Sequence, residues 1–147
     1  MKVRELMTAN PATVRPDQTL EDAAALMQSH DCGSLPVEQH GKLVGVVTDR
    51  DIVMRALAAG QRDASVCDVM SAAPCCCGPD DDIERVEKIM AEAKVRRVPV
   101  VNDAGHTVGI VAQADLARAS NGPGLVSERA VAHVLEAVSQ PGGRRAH

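Results

Sequence analysis

The sequence predicts a mixed α/β (α+β) fold made of two tandem repeats, each a small β-sheet with two helices, packed face to face. Two observations carry this expectation. Displacing the chain by 63 positions lays Val3-Arg4-Glu5-Leu6-Met7 over Val66-Cys67-Asp68-Val69-Met70, Pro16-Asp17 over Pro79-Asp80, and Leu35-Pro36-Val37 over Val98-Pro99-Val100. One extra residue in the later turn then puts Gly45-Val46-Val47-Thr48-Asp49-Arg50-Asp51 over Gly109-Ile110-Val111-Ala112-Gln113-Ala114-Asp115. Within each copy the apolar spacing reads strand, helix, strand, turn, strand, helix. Neither copy is long enough to close a good core alone, so the two are expected to share one.

In the first copy, Thr13-Val14 reads as a short strand ended by Pro16. Thr19 can cap a helix with Asp22 three places on, and Leu20, Ala23, Ala24 and Met27 lie along its apolar face. Ser34 to Val37 and Leu43 to Val47 form a hairpin about His40-Gly41. A second helix begins at Thr48 and runs through Ile52, Val53 and Leu57 to Gly60, a residue suited to a left-handed stop. The second copy repeats the order. Its first helix carries Ile83, Val86, Ile89 and Met90, its hairpin spans Val98 to Val111 around Asp103-Ala104-Gly105, and its closing helix starts near Asp115 and ends by Gly122. The repeats are thus assigned to residues 1–63 and 64–122. Residues 123–147 are assigned to an amphipathic helix over 127–139, capped by Ser127 and striped with Val131, Val134, Leu135 and Val138, followed by a mobile tail. That helix either covers an exposed edge or meets a partner, the first being favoured.

Composition narrows the function. Among 147 residues there is no Phe, Tyr or Trp, so the core must be Val, Leu, Ile, Met and Ala. The same absence removes stacking platforms for bases, and a net charge of −4 offers no basic field to a phosphate backbone, so no nucleic-acid partner is expected. No stretch reaches the roughly 18 uncharged apolar residues of a membrane span, and Met1-Lys2-Val3-Arg4-Glu5 lacks the apolar segment of a secretory signal, so a cytoplasmic protein is expected. Five cysteines, three of them adjacent at Cys75-Cys76-Cys77, do not resemble a disulfide framework and read as thiols.

A tandem of this layout, with Leu6-Met7 leading the first copy, Leu-Pro-Val and Val-Pro-Val strands, and Gly45-Val-Val-Thr-Asp-Arg-Asp51 ending one hairpin, resembles the CBS domain pair, or Bateman module. The resemblance covers nearly all of residues 1 to 120, and the layout is similar to stand-alone CBS-pair proteins described as hypoxic-response or signal-transduction proteins. It implies a disc-like homodimer and clefts between repeats that bind AMP, ATP, NAD(H), S-adenosylmethionine or related ligands, with no cofactor required. Carried over by position, the ligand-binding residues it implies are Thr13, Val14, Leu35, Pro36, Thr48 and Asp51, with Asp115, Val98, Pro99 and the strand around Cys76 and Cys77 in the second half.

The residue types suit that chemistry. Thr48 lies where a strand becomes a helix, so free backbone N–H groups converge on it, and Asp51 brings two acceptor oxygens suited to a ribose diol. Taken alone, the segment reads equally well as a capping box, worth about 1 kcal/mol, that binds nothing. The repeat context favours the ligand site. Ala112 replaces the threonine in the second copy while Asp115 survives, so the Thr48 cleft is expected to bind phosphate better. Arg96 and Arg97, just before Val98-Pro99, must point to opposite faces of a strand, so at most one can meet a ligand phosphate. Otherwise both are solvated charges, and Arg50 is a weaker candidate.

Three consecutive cysteines on a strand cannot converge on one tetrahedral ion, and they align with Ala12-Thr13-Val14, where cysteine serves as a small buried hydrophobe. The histidines are scattered without zinc-helix spacing. An enzyme lacks its parts: there is no Gly-x-Ser-x-Gly, Walker loop or credible Cys-His arrangement. The expected role is therefore a regulatory, ligand-sensing module signalling to an unidentified effector protein. The alternative is a structural dimerisation module with no nucleotide bound.

Overall fold

The computed structural model describes residues 1–120, which form two compact units. The expected helix over 127–139 and the tail beyond it lie outside the described residues.

The first unit is Pro11–Pro74. Its helix α1 (Leu20–Ser29) starts as the sequence predicts: the Asp22 N–H donates to Thr19 Oγ1 at 3.0 Å, and the Thr19 N–H donates back to the Asp22 carboxylate at 3.4 Å. Leu20, Ala23 and Met27 are buried, but Ala24 is exposed. At 3.6 residues per turn Ala24 stands about 100° from Ala23 and leaves the buried stripe. Strands β2 (Ser34–Gln39) and β3 (Lys42–Thr48) pair antiparallel about His40-Gly41, both with positive φ (53° and 75°), as a tight hairpin requires. The expected Thr13-Val14 strand is reduced to one parallel bridge: Val14 N–H donates to Pro36 O at 3.1 Å, and Glu38 N–H donates to Val14 O at 2.9 Å. Pro11 and Pro16 bracket it and limit the ladder.

After β3, a short α2 (Asp49–Asp51) continues as a π-helix, Ile52–Leu57, before Gly60 stops it at φ 73°. Ala56 faces the core, whereas Val53, Met54 and Leu57 are 51%, 56% and 52% exposed. The unit ends with helix α3 (Val66–Val69) and strand β4 (Ser71–Ala72), which pairs with β3 to give the sheet order β2-β3-β4.

Among the described residues, the second unit joins Met1–Asn10 to residues 75–120. Here a 3-10 turn (Val3–Glu5) and strand β1 (Thr8–Ala9) stand where α3 and β4 stand in the first unit. Helix α4 (Ile83–Ala93) buries Ile83, Val86 and Met90, with Ile89 half-buried. Strands β5 (Arg97–Val101) and β6 (Thr107–Ala112) make the second hairpin, in sheet order β1-β6-β5. Helix α5 (Gln113–Ser120) follows, two residues before the start expected from the sequence.

The compact units are therefore offset by about ten residues from the sequence repeats 1–63 and 64–122. The leading segment of each repeat is a strap. Val66-to-Ala72 closes the unit that precedes it, and Val3-to-Ala9 closes the unit that begins at Cys75. Each strap buries a valine completely, Val66 in one core and Val3 in the other, a burial worth about 1.5–3 kcal/mol. Each also lays a methionine across a glycine of the central strand. A Cβ on Gly45 would lie 2.6 Å from Met70 Sδ and 2.9 Å from Ser71 O; one on Gly109 would lie 2.4 Å from Met7 Sδ and 3.1 Å from Thr8 O. The carbonyls are backbone and cannot swing away.

Gly45→Ala and Gly109→Ala should therefore each destabilise the protein by about 1–3 kcal/mol through overpacking. Thermal melts followed by circular dichroism check this, and unchanged midpoints would contradict the strap crossing.

Candidate functional site

The junction between β3 and α2 holds the polar residues that the sequence singles out. Thr48 is extended (φ −115°, ψ 160°) and Asp51 lies three residues on, so each side chain reaches the other's backbone. Asp51 N–H donates to Thr48 Oγ1 at 3.0 Å, and Thr48 N–H donates to Asp51 Oδ2 at 2.9 Å. Asp51 is only 2% exposed, and its Oδ1 lies 3.8 Å from Arg55 Nε, one turn along. Thr48 is half-buried, while Asp49 and Arg50 beside it are exposed. The capping box thus exists. One Asp51 oxygen is engaged by backbone and the other faces a guanidinium, so a ribose diol taking both oxygens would have to displace them.

The second repeat keeps half of this device. Ala112 has no hydroxyl to offer, yet its N–H donates to Asp115 Oδ2 at 2.7 Å, and Asp115 Oδ1 pairs with Arg118. In both units the first helical N–H is tied to the residue just before the hairpin: Asp49 N–H donates to Gly33 O at 2.9 Å, and Gln113 N–H donates to Arg96 O at 2.8 Å. Arg55 and Arg118 were missed in the sequence, although their spacing of four and three residues from the buried aspartates was the available signal.

The remaining predicted residues divide by burial. Leu35, Val14, Val98 and Cys77 are core side chains, Pro36 and Pro99 are buried beside them, and Thr13 and Cys76 are half-buried. What Val14 and Cys77 offer is backbone: Cys77 N–H donates to Pro99 O at 3.1 Å and Val101 N–H to Cys77 O at 2.8 Å, matching the Val14 bridge. Arg96 and Arg97 are both exposed, Arg97 opening β5 opposite Ala112.

The cysteine run grades inward rather than alternating, with Cys75 exposed, Cys76 half-buried and Cys77 buried, and the strand expected there is reduced to a single parallel bridge from Cys77 to Val100. Burial, reinforced by the nearby Asp81 carboxylate, pushes the Cys77 thiol up to about 12, and burial also raises Cys76. Among the described residues no group of three or more His, Cys, Asp or Glu is placed to hold a metal ion, and no helix is long and apolar enough to cross a membrane.

Comparison with known proteins agrees with this architecture. The CBS domain model matches residues 3–58 and again 66–122, so the chain belongs to the CBS domain family, as a pair of repeats. The CBS domain-containing protein YhcV of Bacillus subtilis is 42% identical over 116 residues, covering 78% of this chain and 82% of that protein. Hypoxic response protein 1 of Mycobacterium tuberculosis is 34% identical over 141 residues, 94% of each chain. Hypoxic Response Protein I, solved with two coordinated zinc ions, superposes with a TM-score of 0.72 at 37% identity, covering 80% of this chain and 98% of that one. The CBS domain pair of protein MJ0100, solved with 5′-methylthioadenosine and S-adenosyl-L-methionine, gives 0.73 at 29% identity over 80% and 94%. CBSX2 of Arabidopsis thaliana, solved with AMP, gives 0.69 at 29% identity over 81% and 95%.

Removing the Asp51 carboxylate takes the partner from the part-buried Thr48 N–H, while removing the Thr48 hydroxyl costs only a cap that the second repeat already does without. Asp51→Ala should thus lose about 1–3 kcal/mol and Thr48→Ala about 0.5–1, read from chemical denaturation; the reverse order would refute this hierarchy. For the thiols, a pKa raised by burial leaves Cys77 protonated at pH 8, so alkylation of the native protein should modify exposed Cys32, Cys67 and Cys75 and spare Cys77. Peptide mass mapping checks it, with Cys77 reacting only after unfolding.

Proposed function

We propose that the chain is a regulatory module that binds an adenosine-bearing ligand, of the AMP, ATP, NAD(H) or S-adenosylmethionine class, and makes or breaks no covalent bond. The observation that carries this reading is the family relationship: CBS pairs 29% identical to this chain were solved with AMP, or with 5′-methylthioadenosine and S-adenosyl-L-methionine. The geometry of the junction refines it. Thr48 is half-buried and its hydroxyl, besides accepting the Asp51 N–H, retains a proton to donate to a phosphate oxygen. Exposed Arg50 adds a cation beside it. Asp51, buried and engaged on both oxygens, serves chiefly to hold the helix start in place.

In the second repeat Ala112 removes the hydroxyl, so the phosphate-bearing ligand belongs to the first repeat and Asp115 marks a weaker or nucleoside-like site. Regulation then follows from differential affinity, because a ligand shifts the protein only by as much as it prefers one arrangement over another. A homodimer fits this role. Val53, Met54 and Leu57 are each more than half exposed along one helix, an apolar patch that water disfavours. The ligand state would pass to a separate effector protein in the cytoplasm.

Thermal melts with AMP, ATP, NADH and S-adenosylmethionine test the reading, followed by circular dichroism because the chain has no Trp or Tyr. A binding ligand at about 100 times its dissociation constant should stabilise by about 2.7 kcal/mol, a rise of several degrees in the midpoint. For a phosphate-bearing ligand, Thr48→Ala should remove most of that rise. If no nucleotide moves the midpoint, the chain is a structural dimerisation module; turnover of ATP or NAD would contradict the non-enzymatic reading.

A further inference from the structure

The second unit is built from two stretches of chain separated by the whole of Pro11–Pro74, and its strap is held there entirely by non-covalent bonds. Val3 N–H donates to Asp81 O and Arg4 N–H to Pro79 O, both at 2.9 Å, and Ile83 N–H donates to Met1 O at 3.0 Å. Further along, β1 pairs with β6 and Asn10 N–H donates to Val108 O at 3.0 Å. The inner strap docks on the first unit by the same scheme: Val66 N–H donates to Gln18 O and Cys67 N–H to Pro16 O, both at 2.9 Å, while β4 pairs with β3 and Ala73 N–H donates to Val44 O at 3.1 Å. Two grooves of one design thus recognise one segment pattern, Val-x-acid-aliphatic-Met-hydroxyl, whichever way the chain is connected.

Charge separates the two grooves. Lys2 Nζ lies 2.9 Å from Asp82 Oδ1, and the Arg4 guanidinium closes on Asp80 Oδ1 with its Nε at 2.9 Å. At the matching positions of the first unit the strap carries Ser65 and Cys67 and the groove Thr19 and Asp17, so no such clamp forms. The inner strap follows its own unit directly, whereas the loop that returns Met1–Asn10 to its groove spans the entire other unit. Pro11–Pro74 is itself a compact unit, so the strap reaches its groove as a separate segment whose bonds the same ten residues of another molecule can also make.

We propose that the groove formed by Pro79–Ile83 and the β6 edge is an exchangeable peptide-binding surface, and that its second occupant is residues 1–10 of another copy of this chain. Every bond made to the chain's own strap is reproduced by the partner's, and only the connection through Asn10 (φ 51°) and Pro11 must reorient.

The antiparallel bridge between Lys2 and Asp82 permits a direct trap. The N–H bonds flank this pair, making it the close, non-hydrogen-bonded kind that accommodates a disulfide. Full-length Lys2→Cys, isotopically heavy, is mixed with full-length Asp82→Cys of natural mass under mild oxidation, and linked peptides are identified by mass spectrometry. Lys2→Cys/Asp82→Cys in one chain shows that the geometry closes. Exchange predicts a heavy-light 2–82 link in the mixture, in at least tenfold excess over links from position 2 to native, exposed Cys32. A closed link within the double variant but none across the mixture, or one no more abundant than the Cys32 link, would overturn the proposal.

Discussion

Each half of this protein is completed by a strap that crosses the central strand of a three-stranded sheet at a glycine, and the rest of the architecture rests on that close approach. The hairpins β2-β3 and β5-β6 would each be two-stranded ribbons without it, and such ribbons are marginal in water. The strap supplies the third strand, a fully buried valine and a methionine whose sulfur occupies the space above Gly45 or Gly109. A core without a single aromatic ring depends on many small apolar contacts of this kind, since no one side chain carries a large share of the burial.

The same economy governs the junctions where strand becomes helix. An aspartate three residues into the helix accepts the last strand N–H, and it does so in both units, with the partner hydroxyl of Thr48 and without one at Ala112. The carboxylate is therefore the common structural element and the threonine hydroxyl the variable one. A buried carboxylate must be matched, and Arg55 and Arg118 provide the nearby positive charge. Thus the aspartates hold the junction, while Thr48 and the exposed arginines are available to distinguish one repeat from the other.

Much of this was legible in the residues because the information is local. The Thr19-Asp22 and Thr48-Asp51 boxes and the His40-Gly41 turn depend on neighbours a few positions apart, and all formed as read. The misreadings arose where distant partners decide. Ala24 fits an apolar face by composition, yet α1 buries Leu20, Ala23 and Met27, with Leu26 half-buried against the same core, and leaves Ala24 exposed. Thr13-Val14 looks like a strand but finds one bridging position.

The sequence by itself determined the two-fold repeat, the order of elements within each copy, the aliphatic core and the family, because periodicity, capping residues and self-similarity are properties of the chain taken in order. Only the tertiary structure decided that the first ten residues complete the unit beginning at Cys75, that the helix after Asp51 widens into a π-helix, and that both oxygens of that aspartate are engaged. Self-similarity cannot say which of two like grooves a segment will fill. That choice is made by pairing across 80 residues of sequence, where Lys2 meets Asp82 and the Met7 sulfur meets the one gap a glycine leaves open.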